Sequence, residues 1–220
     1  MKRVAVADFV KSVRITLDEN QTENEYLATS TDNMELDEII RAKAVDAVRS
    51  VVSEAPLWMV EGEDMDIQPS WIHDNQDGSG YIKLPDDFLR LVALKMSGWK
   101  TGVNQAVKEG TQKALQQTNP FVRGTPAKPV CVEGHDADGN LVLEFYSVPT
   151  GKTATVEKAL YVKNPSIVTV SGVDYIDIPY LLHTSSINYC AGLTELVRGN
   201  ADAAKNFFEV SKSYFINTPA

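Results

Sequence analysis

Three histidines, His73, His135 and His183, offer the side chain best suited to metal ligation or proton transfer near neutral pH. None stands three or four residues from another His or from a Cys, so a zinc site would need ligands gathered from distant parts of the chain. His183 lies beside Ser185-Ser186, yet helical neighbours one or two apart do not face each other, so this is not a nucleophile–base pair. The adjacent carboxylates Asp86-Asp87 would point to opposite faces of a strand, and they read as the start of an element. Asn75, Asp77, Ser79, Gly80 and Asp86 echo a calcium loop, with Ile82 at its apolar position. Pro85 and extended flanks argue against that, the usual final Glu is missing, and the stretch reads as a Gly-rich turn. Asp136-Ala137-Asp138-Gly139-Asn140 reads as a hairpin reversal. There is no GxSxG, no GxxxxGK[ST] and no GxGxxG. These residues point to a protein without a catalytic step, metal or cofactor.

Charge narrows the choice further. The formal net charge is −9 and the pI about 4.9, whereas gripping nucleic acid needs clustered Lys and Arg. Trp58, Trp71 and Trp99 lack interleaved basic residues and read as core or interface anchors, not base-stacking platforms. The most exposed basic pair is Arg123 with Lys128, in the Pro/Gly loop NPFVRGTPAKP. Phe121 tips that loop and is expected to tuck back onto its own domain. Arg41 and Arg49 stand on the polar face of a long helix. Phe121, Arg123, Lys128, Arg41 and Arg49 are therefore the candidates for partner contact.

The elements that must position these residues follow from periodicity. Leu36, Ile40, Ala44, Ala47, Val48, Val51 and Ala55 stripe one face of a helix over residues 33–55, capped by Asn33 and stopped by Pro56. Val6, Phe9, Val10, Val13 and Leu17 stripe a first short helix, and residues 18–32 read as an exposed connection. Residues 88–96 read as a strand with Phe88, Arg90, Val92, Leu94 and Met96 on one face, with a helix over residues 86–97 as the alternative that so short an apolar run leaves open. Residues 103–107 read as extended and 111–118 as a polar helical turn. Residues 130–148 form the clearest hairpin, and 154–163 a strand with Ala154, Val156, Lys158, Leu160 and Val162 on one face. A short extended piece over 173–178 precedes a helix whose stripe is Leu181, Leu182, Ser185, Tyr189, Leu193, Leu196 and Val197. Gly199 closes it, and a last helix with Ala203, Ala204, Phe207, Phe208 and Tyr214 completes an αα-hairpin.

The fold class is thus α+β. N- and C-terminal helices (residues 1–58 and 179–216) form a bundle, an antiparallel β lobe (59–178) is inserted between them, and 217–220 is a tail. Cys131 and Cys190 sit among apolar neighbours and read as buried free thiols, which suits a reducing compartment. The N-terminus reads as an amphipathic helix, not a signal peptide, and no apolar run approaches the ~18 residues of a membrane span, so a soluble intracellular protein is expected. Residues 18–32 and the tail from 217 are further candidates to reach out to partners.

YIKLPDDFLRLVALKMSGWKTGV, a polar helix, NPFVRGTPAKPVCV and LVLEFYSVP follow one another through the middle of the chain. This pattern resembles the head–tail connector, or head-completion, proteins in the necks of tailed bacteriophages. It is closest to the ring protein below the portal in crAss-like phages. The resemblance spans residues 33–216, with Gly102-Val103 where that group has Pro-Val. It implies a homo-oligomeric ring, commonly of twelve copies, located in the virion neck after synthesis in the host cytoplasm. It also implies binding to the portal protein and to other neck ring or tail proteins, with DNA passing through the lumen without sequence-specific contact. A negative ring would keep packaged DNA off the channel wall. The alternatives are a non-enzymatic cytosolic adaptor or binding domain acting as a monomer, and a hydrolase whose site is built by long-range convergence.

Overall fold

A computed structural model describes residues 1–18, 30–149 and 151–215. In chain order, β1 (Lys2–Ala5) runs directly into α1 (Val6–Asp18), and α2 (Ser30–Glu54) follows. Next come β2 (Glu63–Asp64), β3 (Ile72–Asp74), β4 (Gly80–Lys83), β5 (Phe88–Met96), β6 (Val107–Lys108) and the short helix α3 (Gln112–Gln117). Strands β7 (Cys131–His135), β8 (Leu141–Phe145), β9 (Val156–Lys163), β10 (Ile167–Val170) and β11 (Val173–Ile178) lead to α4 (His183–Val197) and α5 (Ala201–Ser213). The class is α+β. The chain divides into two compact units, Met1–Glu61 with Asn164–Ala220, and Gly62–Lys163.

In the first unit α1, α2, α4 and α5 pack on one another. α1 buries Val6, Phe9, Val13 and Leu17, and α2 buries Ile40, Ala44, Ala47, Val48, Val51 and Ala55. α2 starts at Ser30, three residues before the expected cap, and ends where Pro56 opens a 3₁₀ turn. Residues 19–29, which make up most of the expected connection, and the tail from 217 lie outside the described residues.

The expected stripe of α4 holds at Leu182 and Ser185 but not at its ends. Leu181, Leu196 and Val197 are exposed, while Ser185, Ser186, Cys190, Ala191 and Thr194 are buried. Small side chains are selected because α5 comes close: a Cβ on Gly192 would stand 2.6 Å from Phe208 Cε1 and 3.1 Å from the Ala204 carbonyl oxygen. The buried hydroxyls are tolerated because each has a partner. Ser186 Oγ donates to Leu182 O (2.8 Å), Thr194 Oγ1 to Cys190 O (2.9 Å), and Ser185 Oγ meets Ser211 Oγ (2.8 Å) across the helix pair. α5 correspondingly buries Ala204, Phe207 and Ser211, leaving Tyr214 exposed. The αα-hairpin turns on Gly199 at φ +81°, where Gly199 N–H donates to Leu196 O (3.1 Å) and Asn200 N–H to Glu195 O (2.9 Å), a Schellman motif.

This unit also carries a three-stranded antiparallel sheet in the order β1-β11-β10. Ser171 and Gly172, both at positive φ (52° and 79°), close the β10–β11 hairpin in the conformation that suits strand twist. The expected lobe reached residue 178, but β10 and β11 belong with the helices, and the division falls between Lys163 and Asn164. The reason is β1: KRVA is too short to announce itself as a strand, yet it supplies β11 with its second partner.

The second unit holds two sheets, β2-β9-β5 and β3-β4-β8-β7-β6, antiparallel except for the parallel β6–β7 pair. Ile82, Leu91, Leu94, Met96, Trp99, Cys131, Leu143, Phe145 and Tyr161 share its core. β5 is a strand, as expected, but its faces are not those of simple alternation. Register shifts at Phe88/Arg90, Leu91/Ala93 and Lys95/Met96 bury Phe88, Leu91, Leu94 and Met96 while Arg90 and Val92 are only half-buried. β9 likewise buries Ala159, Tyr161 and Val162 while Lys158 is exposed.

Candidate functional site

The loop over residues 119–129 is tied down by three polar side chains, those of Gln117, Asn119 and Ser147. Thr111 caps α3, its Oγ1 accepting from Ala114 N–H (3.3 Å). Gln117, at the end of α3, is buried; its Nε2 donates to Lys113 O (2.9 Å) and its Oε1 accepts from Gly124 N–H (2.8 Å). Asn119 Oδ1 accepts from Phe121 N–H (3.0 Å), and its carbonyl accepts from Val122 and Arg123 N–H (3.1 and 2.9 Å). Ser147 Oγ donates to Gly124 O, and Thr125 and Lys128 exchange backbone hydrogen bonds. The backbone of a loop tied at so many points is held in place before any partner arrives.

What the loop presents differs from expectation. Phe121 is 98% exposed, not tucked back, and Val122 next to it and Leu115 in α3 are exposed as well. Arg123 is not a free cation: its Nη2 donates to the Asp77 carbonyl (2.9 Å), tying the loop to the β3–β4 turn. Lys128 is exposed. Arg41 forms an ion pair with Asp174, and Arg49 donates to Asn164 Oδ1 (2.7 Å), so both bridge parts of the first unit while keeping about half of their side-chain surface open.

A second surface was not anticipated. All of β10, Ile167-Val168-Thr169-Val170, is exposed, with Val173 across the turn, and β10 is the outer strand of its sheet. Residues 164–173 carry no charge. That run of uncharged, β-branched residues was the available signal. The expected extended piece begins only at residue 173.

The residues with chemical potential do not assemble. His73 stacks on Tyr81 (ring centroids 4.8 Å apart) and His135 Nδ1 lies 3.4 Å from Glu109 Oε2. His183 opens α4, its pKa pushed down by burial and then by Lys2. Among the described residues no three His, Cys, Asp or Glu side chains come together to hold a metal ion. In the Asn75–Gly80 stretch, Asp77 Oδ1 accepts from Ser79 N–H (2.9 Å) and Oγ (2.6 Å), which places the carboxylate inward on its own turn and holds its pKa below the usual range.

The reversal at Asp136 is an Asx arrangement: its Oδ1 accepts from the N–H groups of Asp138 (3.0 Å) and Asn140 (2.9 Å). The Asn140 side chain and then these backbone donors pull the Asp136 pKa below the ordinary 3.8. The stabilisation is therefore complete above the unfolded pKa and disappears as pH falls through the depressed folded value. The amide resonances of Asp138 and Asn140 are expected to titrate together, with a midpoint under 3.8; a midpoint above it would contradict the assignment.

Cys131 and Cys190 are free and buried, and burial pushes both thiols up to about 12. Neither is expected to react with a thiol reagent in the native protein at pH 8, and both should react once it is unfolded. Mass spectrometry of the labelled chain checks this. Among the described residues no helix is long and apolar enough to cross a membrane. The chain matches no known family model, and no curated protein resembles it closely enough in sequence to match.

Proposed function

We propose that this chain is an architectural subunit: one of the copies that form a ring in the neck of a tailed-phage particle, below the portal. The ring would extend the DNA channel and give tail components their platform. Its partners are then the portal above, other neck or tail proteins below, and sister copies at its sides. Specificity would lie in interface shape, with no covalent step.

One observation carries the reading. β10 is an edge strand whose residues are uncharged and exposed. Soluble monomers guard such edges with Lys, Pro, bulges or a covering element, because open backbone beside apolar side chains recruits other strands. Among the described residues no further strand pairs with β10, and such an edge is consistent with a subunit whose edge is covered after assembly. The resemblance to neck proteins supplies the kind of assembly. A net charge of −9 per copy fits a channel that lets DNA pass without holding it.

Mass measurement of the purified chain, alone and mixed with portal protein, tests the proposal. A closed oligomer, or a ring formed on the portal, is expected. A chain that stays monomeric and ignores the portal would leave the adaptor reading in its place. Particles made without the protein are expected to lose packaged DNA or to lack tails. In the assembled particle, a lumen lined by basic residues would overturn the repulsive-channel part of the reading.

A further inference from the structure

The strand order β2-β9-β5 gives one sheet two unlike edges. On the side of β5 away from β9, Leu94 and Val103 exchange backbone hydrogen bonds (2.7 and 2.8 Å). The chain just before Val103 is tied to the Phe121 loop: Lys100 N–H donates to Pro126 O (2.7 Å) and Thr101 Oγ1 to Ala127 O (3.2 Å). The rigid loop with its wholly exposed Phe121 therefore flanks the β5 edge. The opposite edge is β2, with Glu63 and Asp64 in the strand and Asp66 just beyond it. The half-buried Ile67 and Trp71 follow directly.

The two edges also carry opposite charge. Residues 110–132 contain Lys113, Arg123 and Lys128 and no acid, in a chain with a net charge of −9. Lys100, Lys113 and Lys128 are all exposed, and among the described residues none has an ion-pair partner. At the other edge Glu63 is paired with Lys163, whereas Asp64 and Asp66 are exposed and, among the described residues, unpaired. An exposed apolar tip on a segment that carries unpaired lysines and no acid suits an acidic surface with apolar side chains, and the β2 edge of the same chain offers Asp64 and Asp66 with the half-buried Ile67 and Trp71.

We infer that the Phe121 loop docks on the β2 edge of a second copy of this chain, with Phe121 against the Ile67–Trp71 stretch and the lysines facing Asp64 and Asp66. The inference rests on the ring reading and gives it a direction. The two surfaces differ, so the contact is head-to-tail. A pair then leaves one loop and one edge free for further copies, and the series closes when the rotation per copy divides the circle. Nucleic acid is a poorer occupant, because the one guanidinium of the loop is occupied by the Asp77 carbonyl and the chain as a whole is acidic.

Sedimentation velocity on the full chain provides the test. The native chain should associate, and should do so less at about 0.5 M salt, where exposed charges are screened. The variants K100E/K113E/K128E and D64K/D66K should each be monomeric alone. Mixed together they should associate again, because native loop meets native edge and the reversed charges also face one another. Phe121→Ala should weaken association about thirtyfold, as a central anchor does, without moving the melting temperature. An unchanged circular dichroism spectrum checks that the charge variants fold. Charge variants that associate like the native chain, or a mixture that stays monomeric, overturn the docking but leave the ring reading standing. A native chain that is monomeric at every concentration, alone and with portal, overturns both.

Discussion

Gly80→Ala is expected to destabilise the β-rich unit by about 3 kcal/mol, the upper end of what overpacking costs. Gly80 begins β4, pairs with Asp74 of β3 and with Phe145 of β8, and its backbone is not in the left-handed region. The penalty is therefore one of space alone. An added Cβ would fall well inside contact distance of the His73 carbonyl oxygen and 2.5 Å from Phe145 Cζ. His73 O is backbone and cannot swing aside, and Phe145 is fully buried among Ile82, Leu143 and Met96. Either β3 leaves the sheet or the ring is displaced into a packed core. Gly139→Ala is the informative control. It sits at φ +83° but has nothing within 4 Å of the new Cβ, so only left-handed strain of about 1 kcal/mol applies. Urea unfolding followed by the fluorescence of Trp99, buried in the same unit, measures both. Equal losses for the two variants would mean that the close approach at Gly80 is relieved at little cost.

Much of the fold is legible wherever one physical rule acts alone. The stripes of α1 and α2 are apolar because those faces meet other helices, so Phe9, Val13, Ile40 and Val48 could be placed without coordinates. Gly199 could be placed because only a residue tolerant of positive φ completes that helix end. The β7–β8 hairpin follows from alternation around Asp138-Gly139. The rule fails where a second constraint intervenes. Bulges in β5 break the two-residue period, so Arg90 and Val92 do not share the burial of Phe88, Leu94 and Met96, with which alternation groups them. Strand β1 is four residues of mixed polarity whose role is set by its pairing with β11.

The candidate surfaces were legible only in part. Composition marks residues 119–129 as a loop, since Pro120, Gly124, Pro126 and Pro129 forbid a regular ladder. It does not reveal that Gln117, Asn119 and Ser147 lock the loop in place, because those hydrogen bonds join residues up to 23 apart. The loop so held leaves Phe121 exposed. Arg123 failed as a free cation for the same reason, since its partner is a carbonyl 46 residues away. Local sequence can thus mark a contact surface, while long-range polar contacts decide which side chains remain available.

The second large effect runs against hydropathy. Ser185 lies in what reads as an apolar stripe, where leucine would be expected to improve packing, yet Ser185→Leu should destabilise the helical unit by about 3–4 kcal/mol. Ser185 is wholly buried where α4 meets α5. Its Oγ donates to Ser211 O (3.0 Å) and shares a 2.8 Å contact with Ser211 Oγ, which in turn donates to Ser185 O (2.9 Å). Leucine removes the hydroxyl from this reciprocal pair, at about 1 kcal/mol for each bond lost. It also forces its larger side chain between helices that already exclude a Cβ at Gly192, and overpacking adds about 1–3 kcal/mol. Ser185→Ala separates the two contributions: it fits the space, breaks the same bonds and should cost about 1–2 kcal/mol. Denaturant melts of the two variants by far-ultraviolet circular dichroism would show the order native, alanine, leucine. A leucine variant as stable as the native chain would mean that α4 and α5 can separate freely. The small-residue face would then be incidental to how this unit holds its shape.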